Sequence, residues 1–471
     1  MADRPSPQRL PSGIRGLDAV LGGGFAEGRI YVLQGMPGSG KTILANQIVF
    51  HQAHEARRAV YVTLAAESHD QMLQNLASLG FADTRLVPDP LFYVNGFQML
   101  IEEGIKGFHD LLRDALHRFE PSVLVIDGLH VIQEYAECDR EFRRFLYALQ
   151  GDAALRRCAI LLIINATGPS SSPEHTVVDG ILELGEELFS ARAVRSLIVH
   201  KFRGSPTLPG RHLIEITGGG LQVWPRLETL PTPVDAGRIP VERVGMGIPK
   251  LDAMMGGGPT VGSTTLVAGP AGSGKTSCGL MFMGRCSPAE RGILLSCYEA
   301  PGELMRKARG LGIDLEGLCA SGAVRVLWYP RTETLLDEMA HTLLDAVRGS
   351  GARRVFIDGA GALGNAAVFD NRNEAFFTAL TLLLRAEQAT MLCTAEARDF
   401  FLPELTVQED VASVAENVVL LRYAEKDSTL RRLLSVIKMR HSAFDAAIRP
   451  FVIDGRGVII DEESPSGGRI G

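Results

Sequence analysis

The sequence predicts an α/β fold of two tandem domains, each a mostly parallel sheet flanked by helices. Short apolar stretches alternate with helical patterns along the chain, which is typical of parallel sheets covered by helices. The pattern of the first half returns in the second half at offsets of 231 to 237 positions. Three prolines in residues 228–240 indicate a linker. We therefore expect domains at 1–230 and 241–461, followed by a disordered tail at 462–471.

Composition narrows the class of protein. Of the 471 residues, 46% are hydrophobic and 22% are charged, as in ordinary globular proteins. The net charge of −7 gives no basic footprint for nucleic acid, so we do not expect nucleic acid as a partner. No run approaches the roughly 18 apolar residues of a membrane span, and no membrane partner is expected. The seven cysteines form no CxxC pair, which favours a cytoplasmic protein with reduced thiols.

The first phosphate-binding motif is GMPGSGKT at residues 35–42, a full match to GxxxxGK[ST]. Its glycines let successive backbone N–H groups converge on phosphates, and the helix that follows adds its positive end. An apolar strand at 29–34 and a helix at 43–50 give the expected context. The residues predicted to bind ATP here are Gly35, Gly38, Ser39, Gly40, Lys41 and Thr42.

The same motif recurs as GPAGSGKT at residues 269–276, after the apolar stretch 264–268. Lys275 follows Lys41 by 234 positions, and two such loops in one chain exclude a chance match. In P-loop proteins the lysine reaches the β- and γ-phosphates and the hydroxyl that follows it binds Mg²⁺. The second set of predicted ATP-binding residues is Gly269, Gly272, Ser273, Gly274, Lys275 and Thr276.

Each half also supplies an acid for the metal. Asp127 ends the apolar strand VLVID, and Asp358 ends RVFID, the arrangement of a Walker B aspartate. The strand after each P-loop helix ends near the γ-phosphate, where a carboxylate could activate the nucleophile. Glu299 and Glu67 lie there, and either could be merely a solvated glutamate at a strand end. The predicted metal residues are Thr42, Asp127, Thr276, Glu299 and Asp358.

Near the end of each half lies a strand with alternating cations, Lys201 and Arg203 in the first, Lys438 and Arg440 in the second. Alternation places both cations of a pair on one face. One interpretation is a charged sheet edge that blocks aggregation. We favour a second, in which these cations reach a γ-phosphate on a neighbouring subunit.

Taken together, these motifs resemble the KaiC family, double-domain ATPases of the RecA-like P-loop superfamily. The resemblance covers residues 9–461 and rests on GIRGLDAVLGGGFAEGR before the first loop, AESHDQMLQNLASLGF, HKFRGS and VIKMRHS. It implies two-tiered homohexameric rings with ATP between subunits. It further implies a first domain that hydrolyses ATP slowly, and a second that is an autokinase and autophosphatase acting on a Ser-Thr pair.

The resemblance also assigns roles by position. In the first domain it implies Ser78 near the base and Lys201, Arg203 and Ser205 near the adjoining ATP. In the second domain Arg432, Lys438, Met439 and Arg440 match the strand that contacts the next subunit's nucleotide. The family's paired catalytic glutamates are incomplete here, since Ala66 precedes Glu67 and Ala300 follows Glu299. Chemistry is therefore better supported in the second domain.

The phosphoacceptor pair of the family falls on Ala412 and Ser413, so only Ser413 can accept a phosphoryl group. An alternative is that Ser413 merely caps a helix, since Ser413 and Glu416 have capping-box spacing. The apolar stretch that follows indicates a strand and weakens that alternative.

The leading functional hypothesis is a hexameric ATPase and serine/threonine autokinase that acts in signalling with an unknown partner protein. Glu299 would be the base, Ser413 the acceptor, and Lys438 and Arg440 catalytic cations supplied by the neighbouring subunit. Two alternatives remain open. One is an ATP-gated scaffold with little turnover, and the other is a recombinase- or helicase-like motor on DNA.

Overall fold

The structure is a computed structural model that describes residues 8–64, 69–166, 173–189, 191–231, 241–330, 334–366, 368–369, 372–396, 409–426, 429–440 and 442–461. The chain divides into two compact units, residues 1–229 and 230–471. Glu67 and the predicted tail at 462–471 lie outside the described residues. Among the described residues, no helix combines the length and the apolar character that crossing a membrane requires.

The first unit alternates strands with helices, as its sequence pattern predicts. Its strands are β1 Arg9–Leu10, β2 Phe25–Ala26, β3 Ile30–Gly35, β4 Ala59–Thr63, β5 Leu91–Asn95, β6 Val123–Asp127, β7 Ala159–Ile164, β8 Gly180–Phe189, β9 Arg192–Phe202, β10 Arg211–Thr217 and β11 Gly220–Trp224. Its helices are α1 Leu17–Val20, α2 Lys41–His54, α3 His69–Leu76, α4 Phe97–Phe119, α5 Leu129–Glu134, α6 Asp139–Arg156 and α7 Pro173–Val177.

Nine of these strands form one sheet in the order β11-β10-β9-β8-β3-β7-β6-β4-β5. The six strands from β8 to β5 are parallel, and β9 to β11 add an antiparallel extension. All six residues of β3 are buried because helices cover both faces of the parallel part. The central strand thus ends in the first P-loop.

The second unit repeats this plan. Its strands are β12 Thr264–Gly269, β13 Gly292–Ser296, β14 Val324–Trp328, β15 Arg354–Asp358, β16 Thr390–Glu396, β17 Asn417–Lys426, β18 Thr429–Met439, β19 Arg449–Asp454 and β20 Gly457–Ile460. Its helices are α8 Pro249–Met254, α9 Lys275–Met283, α10 Pro301–Gly310, α11 Leu315–Ala320, α12 Leu336–Ser350, α13 Ala360–Asn365, α14 Asn373–Ala386 and α15 Glu409–Val414. The sheet order is β14-β13-β15-β16-β12-β17-β18-β19-β20.

The two sheets confirm the predicted fold class, a mostly parallel sheet flanked by helices in each tandem unit. The predicted linker differs at its start, because Leu227–Thr229 forms a short 3₁₀ turn whose Leu227 is buried. Residues 228 and 229, the first two of the predicted linker, thus belong to this turn. Residues 232–240 lie outside the described residues.

Candidate nucleotide-binding sites

Each P-loop joins the central strand of its sheet to a helix. In the first, β3 leads into the loop and α2 begins at Lys41; in the second, β12 leads into the loop and α9 begins at Lys275. Gly40 and Gly274 precede these helices with φ values of 101° and 107°. Only glycine adopts this left-handed conformation readily, and a Cβ at Gly274 would lie 2.7 Å from Ile453 Cδ1. The motif's last glycine is therefore required by geometry.

The two P-loop lysines fold back over their own loops. Lys41 Nζ donates to the carbonyls of Gly35 and Met36, each at 2.8 Å. Lys275 Nζ donates in the same way to Gly269 and Pro270, also at 2.8 Å. Burial lowers the pKa of both lysines, an effect that the nearby acidic side chains oppose. Each ammonium is thus held at the mouth of its loop.

The structure brings the predicted metal residues of each domain together in pairs. Thr42 Oγ1 lies 3.2 Å from Asp127 Oδ2, and Thr276 Oγ1 lies 3.1 Å from Asp358 Oδ2. Burial raises the pKa of both aspartates, while the hydroxyl groups that donate to them lower it. A hydroxyl and a carboxylate oxygen at the end of a P-loop are ligands suited to Mg²⁺.

A cavity of about 520 Å³ opens beside the first pair. Its lining combines the P-loop residues Gly38, Gly40, Lys41 and Thr42 with Asp127. Further lining residues come from neighbouring strand ends and from α3 and α5, namely Thr63, Leu64, Met72, Gly128, His130, Val131, Ile163 and Asn165. The volume is of the size that small-molecule pockets in proteins have.

The two aspartates differ in what supports them, a difference that the motifs alone do not predict. In the first domain Tyr61 Oη donates to Asp127 Oδ2 at 2.7 Å, from β4. In the second domain Thr394 Oγ1 donates to Asp358 Oδ1 at 2.8 Å, from β16. By strand register, Leu294 of the second domain corresponds to Tyr61, and Ile163 of the first corresponds to Thr394. The supporting hydroxyl has thus moved to a different strand.

The P-loops also contain polar atoms that suit an added ligand. Among the described residues, the hydroxyls of Ser39 and Ser273 are buried and have no hydrogen-bond partner. A buried unpaired hydroxyl is unfavourable in a folded chain, and both lie at the same position of the motif. Together with the lysine and the Thr–Asp pair, they fit a triphosphate and its metal.

The predicted base of the second domain is held by an ion pair. Lys307 Nζ of α10 contacts Glu299 Oε1. The Glu299 backbone N–H donates to Ser296 Oγ at 3.2 Å, at the end of β13. Its charge is near enough to raise the pKa of Asp358, although burial of Asp358 has the larger effect. Glu299 therefore lies beside the predicted metal residues, and its role as base stays a prediction. Lys307 was not among the predicted residues.

The Lys-x-Arg strands lie at the opposite edge of each sheet from that sheet's own P-loop. Lys201 pairs with Ile181 near the beginning of β8, and Lys438 pairs with Val418 near the beginning of β17. Because β8 and β17 run parallel to β3 and β12, these ends are the amino-terminal edge, whereas a P-loop follows the carboxyl end. The lysines therefore cannot contact the phosphates of their own domain in this arrangement.

These cations bind the end of a short helix instead. Lys201 Nζ donates to the carbonyls of His175 and Thr176, at 3.1 and 3.3 Å. Lys438 Nζ donates to the carbonyl of Ala412 at 3.1 Å. Arg440 donates to the carbonyl of Ser413 at 3.2 Å. Arg203 Nη1 lies 3.9 Å from Asp179 Oδ1, and Met439 packs against the core of its domain.

One residue of this group must be separated from the others. Arg432 Nη2 lies 3.5 Å from the carbonyl of Gly272, in the P-loop of its own domain. Six strand residues separate Arg432 from Lys438, which is about 20 Å. Arg432 therefore lies at the P-loop end of β18 and Lys438 lies toward the other end, and the contact of each residue with nucleotide stays a prediction.

Two predicted serines make local contacts. Ser78 Oγ donates to the carbonyl of Asn75 at 3.2 Å, beyond the end of α3. Ser205 Oγ donates to the carbonyl of Leu21 at 2.7 Å and so ties the loop after β9 to the end of α1. Their contribution to nucleotide binding stays a prediction, as does that of Glu67, which lies outside the described residues.

Ser413 lies in the last turn of α15 and is exposed. The capping-box alternative is wrong, because a serine in that box precedes a helix rather than ending one. Glu416 has other partners: it accepts from the backbone N–H of Thr264 at 2.8 Å and contacts Arg385. The strand predicted after Ser413 is present as β17.

Comparison with known proteins agrees with this geometry. The family model described as "ATPase: KaiC" matches the chain twice, at residues 10–228 and 244–465. The chain is 26% identical to the circadian clock oscillator protein KaiC of Picosynechococcus sp., over 97% of this chain and 90% of that protein. It is 28% identical to the protein of that name from Acaryochloris marina, over 94% and 87%. For KaiC 1 of Synechocystis sp. the values are 26%, 96% and 89%. The chain therefore belongs to the KaiC family of ATPases.

Proposed function

We propose that this ATPase assembles as a homohexameric ring and that its second domain is a serine/threonine autokinase acting across the subunit interface. The observation that carries the proposal is the separation of Ser413 from the P-loop of its own domain. The P-loop and the acceptor serine belong to the same domain of one chain, but they lie at opposite ends of β12.

Register gives the size of this separation. Glu416, three residues after Ser413, binds the backbone N–H of Thr264, the first residue of β12. The P-loop follows Gly269, the last residue of that strand. Six strand residues span about 20 Å, far more than the contact distance that phosphoryl transfer requires. Transfer to Ser413 thus needs the nucleotide of another copy.

The cations of β18 support the same arrangement. Lys438 and Arg440 donate to the carbonyls of Ala412 and Ser413, so these two side chains and the acceptor form one unit. When that edge approaches the P-loop of a neighbouring copy, the acceptor and two positive charges arrive together. Positive charge near the transferred phosphoryl group stabilises the transition state.

Within this proposal, ATP and Mg²⁺ are held by the two P-loops, with Thr42 and Asp127 or Thr276 and Asp358 as metal residues. Bound Mg²⁺ would neutralise phosphate charge. In the second domain Glu299 accepts the proton of the Ser413 hydroxyl. The first domain binds ATP mainly to hold the ring, since Ala66 stands where the family has its first glutamate. The chain would act in signalling, through a partner that recognises its phosphorylated state.

Mixing two inactive chains tests the proposal. A Lys275→Ala chain keeps Ser413 but lacks the P-loop lysine, and a Ser413→Ala chain keeps the P-loop but lacks the acceptor. We expect phosphate on Ser413 only after the two are mixed with ATP and Mg²⁺, as measured by phosphosite mass spectrometry, and a hexamer mass by native mass spectrometry. Ser321→Ala removes another exposed serine at the end of a short helix, and it is the matched control. Absence of phosphate on Ser413 after mixing, under conditions in which the wild-type chain is phosphorylated, would refute transfer between subunits.

One observation favours a second candidate, an ATP-gated scaffold with little turnover. The ion pair with Lys307 occupies the carboxylate of Glu299 and opposes its use as a base. Turnover measured separately in Lys41→Ala and Lys275→Ala chains distinguishes the two. The autokinase requires that Lys275→Ala removes Ser413 phosphorylation, whereas the scaffold requires that both variants lose assembly while wild-type turnover is already negligible.

A further inference from the structure

A chain of polar side chains runs beneath the first P-loop. Gln34, the residue before Gly35, is fully buried, and its Nε2 donates to Glu183 Oε2 at 2.7 Å. His175 Nε2 lies 2.6 Å from Gln34 Oε1, and His200 Nε2 lies 2.9 Å from Glu183 Oε2. We call these four residues, Gln34, His175, Glu183 and His200, the Gln34 relay.

Chemistry fixes the direction of each bond in the relay. Because the Gln34 amide nitrogen donates to a carboxylate, its oxygen must accept, and so His175 Nε2 carries a hydrogen. His200 Nε2 donates to the same carboxylate oxygen. Gln34 and His175 are buried, Glu183 is partly buried and His200 is exposed, so the network is anchored on two buried members, and hydrogen bonds to buried groups restrain their partners. A displacement of Gln34 is thus passed on to both histidines.

The relay converges on Lys201 by two routes. His200 is the chain neighbour of Lys201, and the carbonyl of His175 accepts from Lys201 Nζ at 3.1 Å. His200 occupies a β-bulge between β8 and β9, since Leu182 pairs with Val199 and Ile181 with Lys201. A bulge redirects a side chain, here toward Glu183. The relay therefore connects the P-loop edge of the sheet with the opposite edge, where Lys201 lies.

The second domain has the same backbone but not the relay. By register and by the contact with the strand lysine, Ala268, Ala412, Leu420 and Ile437 stand where the first domain has Gln34, His175, Glu183 and His200. Ile437 even occupies the corresponding bulge. Four apolar residues replace four polar ones, so the difference is a matched set rather than a single substitution.

We infer that the Gln34 relay couples nucleotide occupancy of the first P-loop to the position of Lys201, and so to the neighbouring subunit's nucleotide. The inference rests on the proposed ring and on the sequence-based expectation that Lys201 reaches the nucleotide of the neighbouring subunit. The relay residues are positioning residues, because they act through Gly35 and Lys201. The second domain, which lacks them, has no such coupling along this path.

Hydrogen exchange in a mixed assembly tests the coupling. A trace of ¹⁵N-labelled wild-type chain is mixed with excess Lys41→Ala chain, so that the labelled chain binds nucleotide in its own first P-loop while its Lys201 faces no bound nucleotide, whether or not a ring forms around it. With AMPPNP and Mg²⁺ we expect exchange at residues 198–203 of the labelled chain to slow about fivefold or more, the lower end of measured couplings. Residues 435–440 of a labelled wild-type chain in excess Lys275→Ala chain are the internal control and should respond less than about twofold.

The relay variant combines Gln34→Ala, His175→Ala, Glu183→Leu and His200→Ile, which copies the second domain and leaves none of the four polar side chains. We expect protection of residues 35–42 by nucleotide to persist while the response at 198–203 disappears. An unchanged response in this variant would overturn the inference, and nucleotide-free exchange of β3 shows whether the variant is folded. Absence of protection at 35–42 in the wild-type chain would overturn the proposed function together with the inference.

Discussion

The hydroxyl groups of Tyr61 and Thr394 each donate to the aspartate of their own domain, and removing them one at a time tests whether each stabilises only that domain. Tyr61→Phe removes the donor to Asp127 and Thr394→Val removes the donor to Asp358, each with little change of shape. A hydrogen bond to a charged group contributes about 1.5–3 kcal/mol, so exchange of the surrounding strands should accelerate about 10- to 150-fold. Each variant should affect only its own domain, because Leu294 and Ile163 stand at the corresponding positions of the other.

The effect should depend on pH with a definite sign. Burial raises the pKa of Asp127 above its unfolded value, so the folded state takes up a proton first as the pH falls. The Tyr61 hydroxyl opposes this effect, and its removal raises the pKa further. The loss of stability caused by Tyr61→Phe should therefore be complete at pH values above the raised pKa that Asp127 has in the variant. It should shrink as the pH falls through that pKa.

Hydrogen exchange with mass spectrometry measures both quantities, with rates corrected for the intrinsic effect of pH. Tyr93→Phe is the matched control, because its hydroxyl donates to the neutral Asn46 Oδ1 at 2.7 Å. That variant should lose about 0.5–1.5 kcal/mol at every pH. Equal effects of Tyr61→Phe in both domains, or a loss that does not change with pH, would refute the reasoning.

Three further predictions concern the second domain and the metal. Lys307→Met frees the Glu299 carboxylate, and ATP turnover should rise about three- to tenfold. The control Arg309→Met, on the same helix, should change ATP turnover less than about twofold. A fall in turnover with Lys307→Met would contradict a base role for Glu299. Arg372→Met removes both guanidinium donors to buried Asp337 and should lower the free energy of unfolding by about 3–5 kcal/mol in denaturant titration. Combining it with Asp337→Leu should restore most of that loss. If stability is not restored, the loss does not come from the unpaired buried charge of Asp337. Chelation of Mg²⁺ should weaken ATP binding at least about tenfold by calorimetry, and equal affinity with and without metal would contradict the assignment of the Thr–Asp pairs.

Local motifs were sufficient to predict the fold and the strands and helices that bring the candidate site residues together. The strands that end at Asp127 and Asp358, and the helices that begin at Lys41 and Lys275, follow from short patterns because both ends of each pattern lie within a few residues. The repeat then predicted the two-domain organisation. Each of these features depends on backbone geometry that glycine and alternating apolar residues determine locally.

The supporting contacts could not be predicted in the same way. Tyr61 and Asp127 are 66 positions apart, and their contact depends on which strands are neighbours and in what register. Thr394 performs the same task from another strand, so no single sequence position marks it. The contact of Lys307 with Glu299 could not be predicted for a different reason, since a lysine on an exposed helix usually has no specific partner.

The location of Ser413 has a genetic consequence. In the proposed ring every interface is head-to-tail, so each composite site takes its P-loop from one chain and its acceptor from the next. A chain with a damaged P-loop therefore inactivates the one site to which it contributes that P-loop. Its own serine can still be phosphorylated at the intact P-loop of a neighbour. Two different defective copies in one cell should partly restore each other, whereas two copies with the same defect should not.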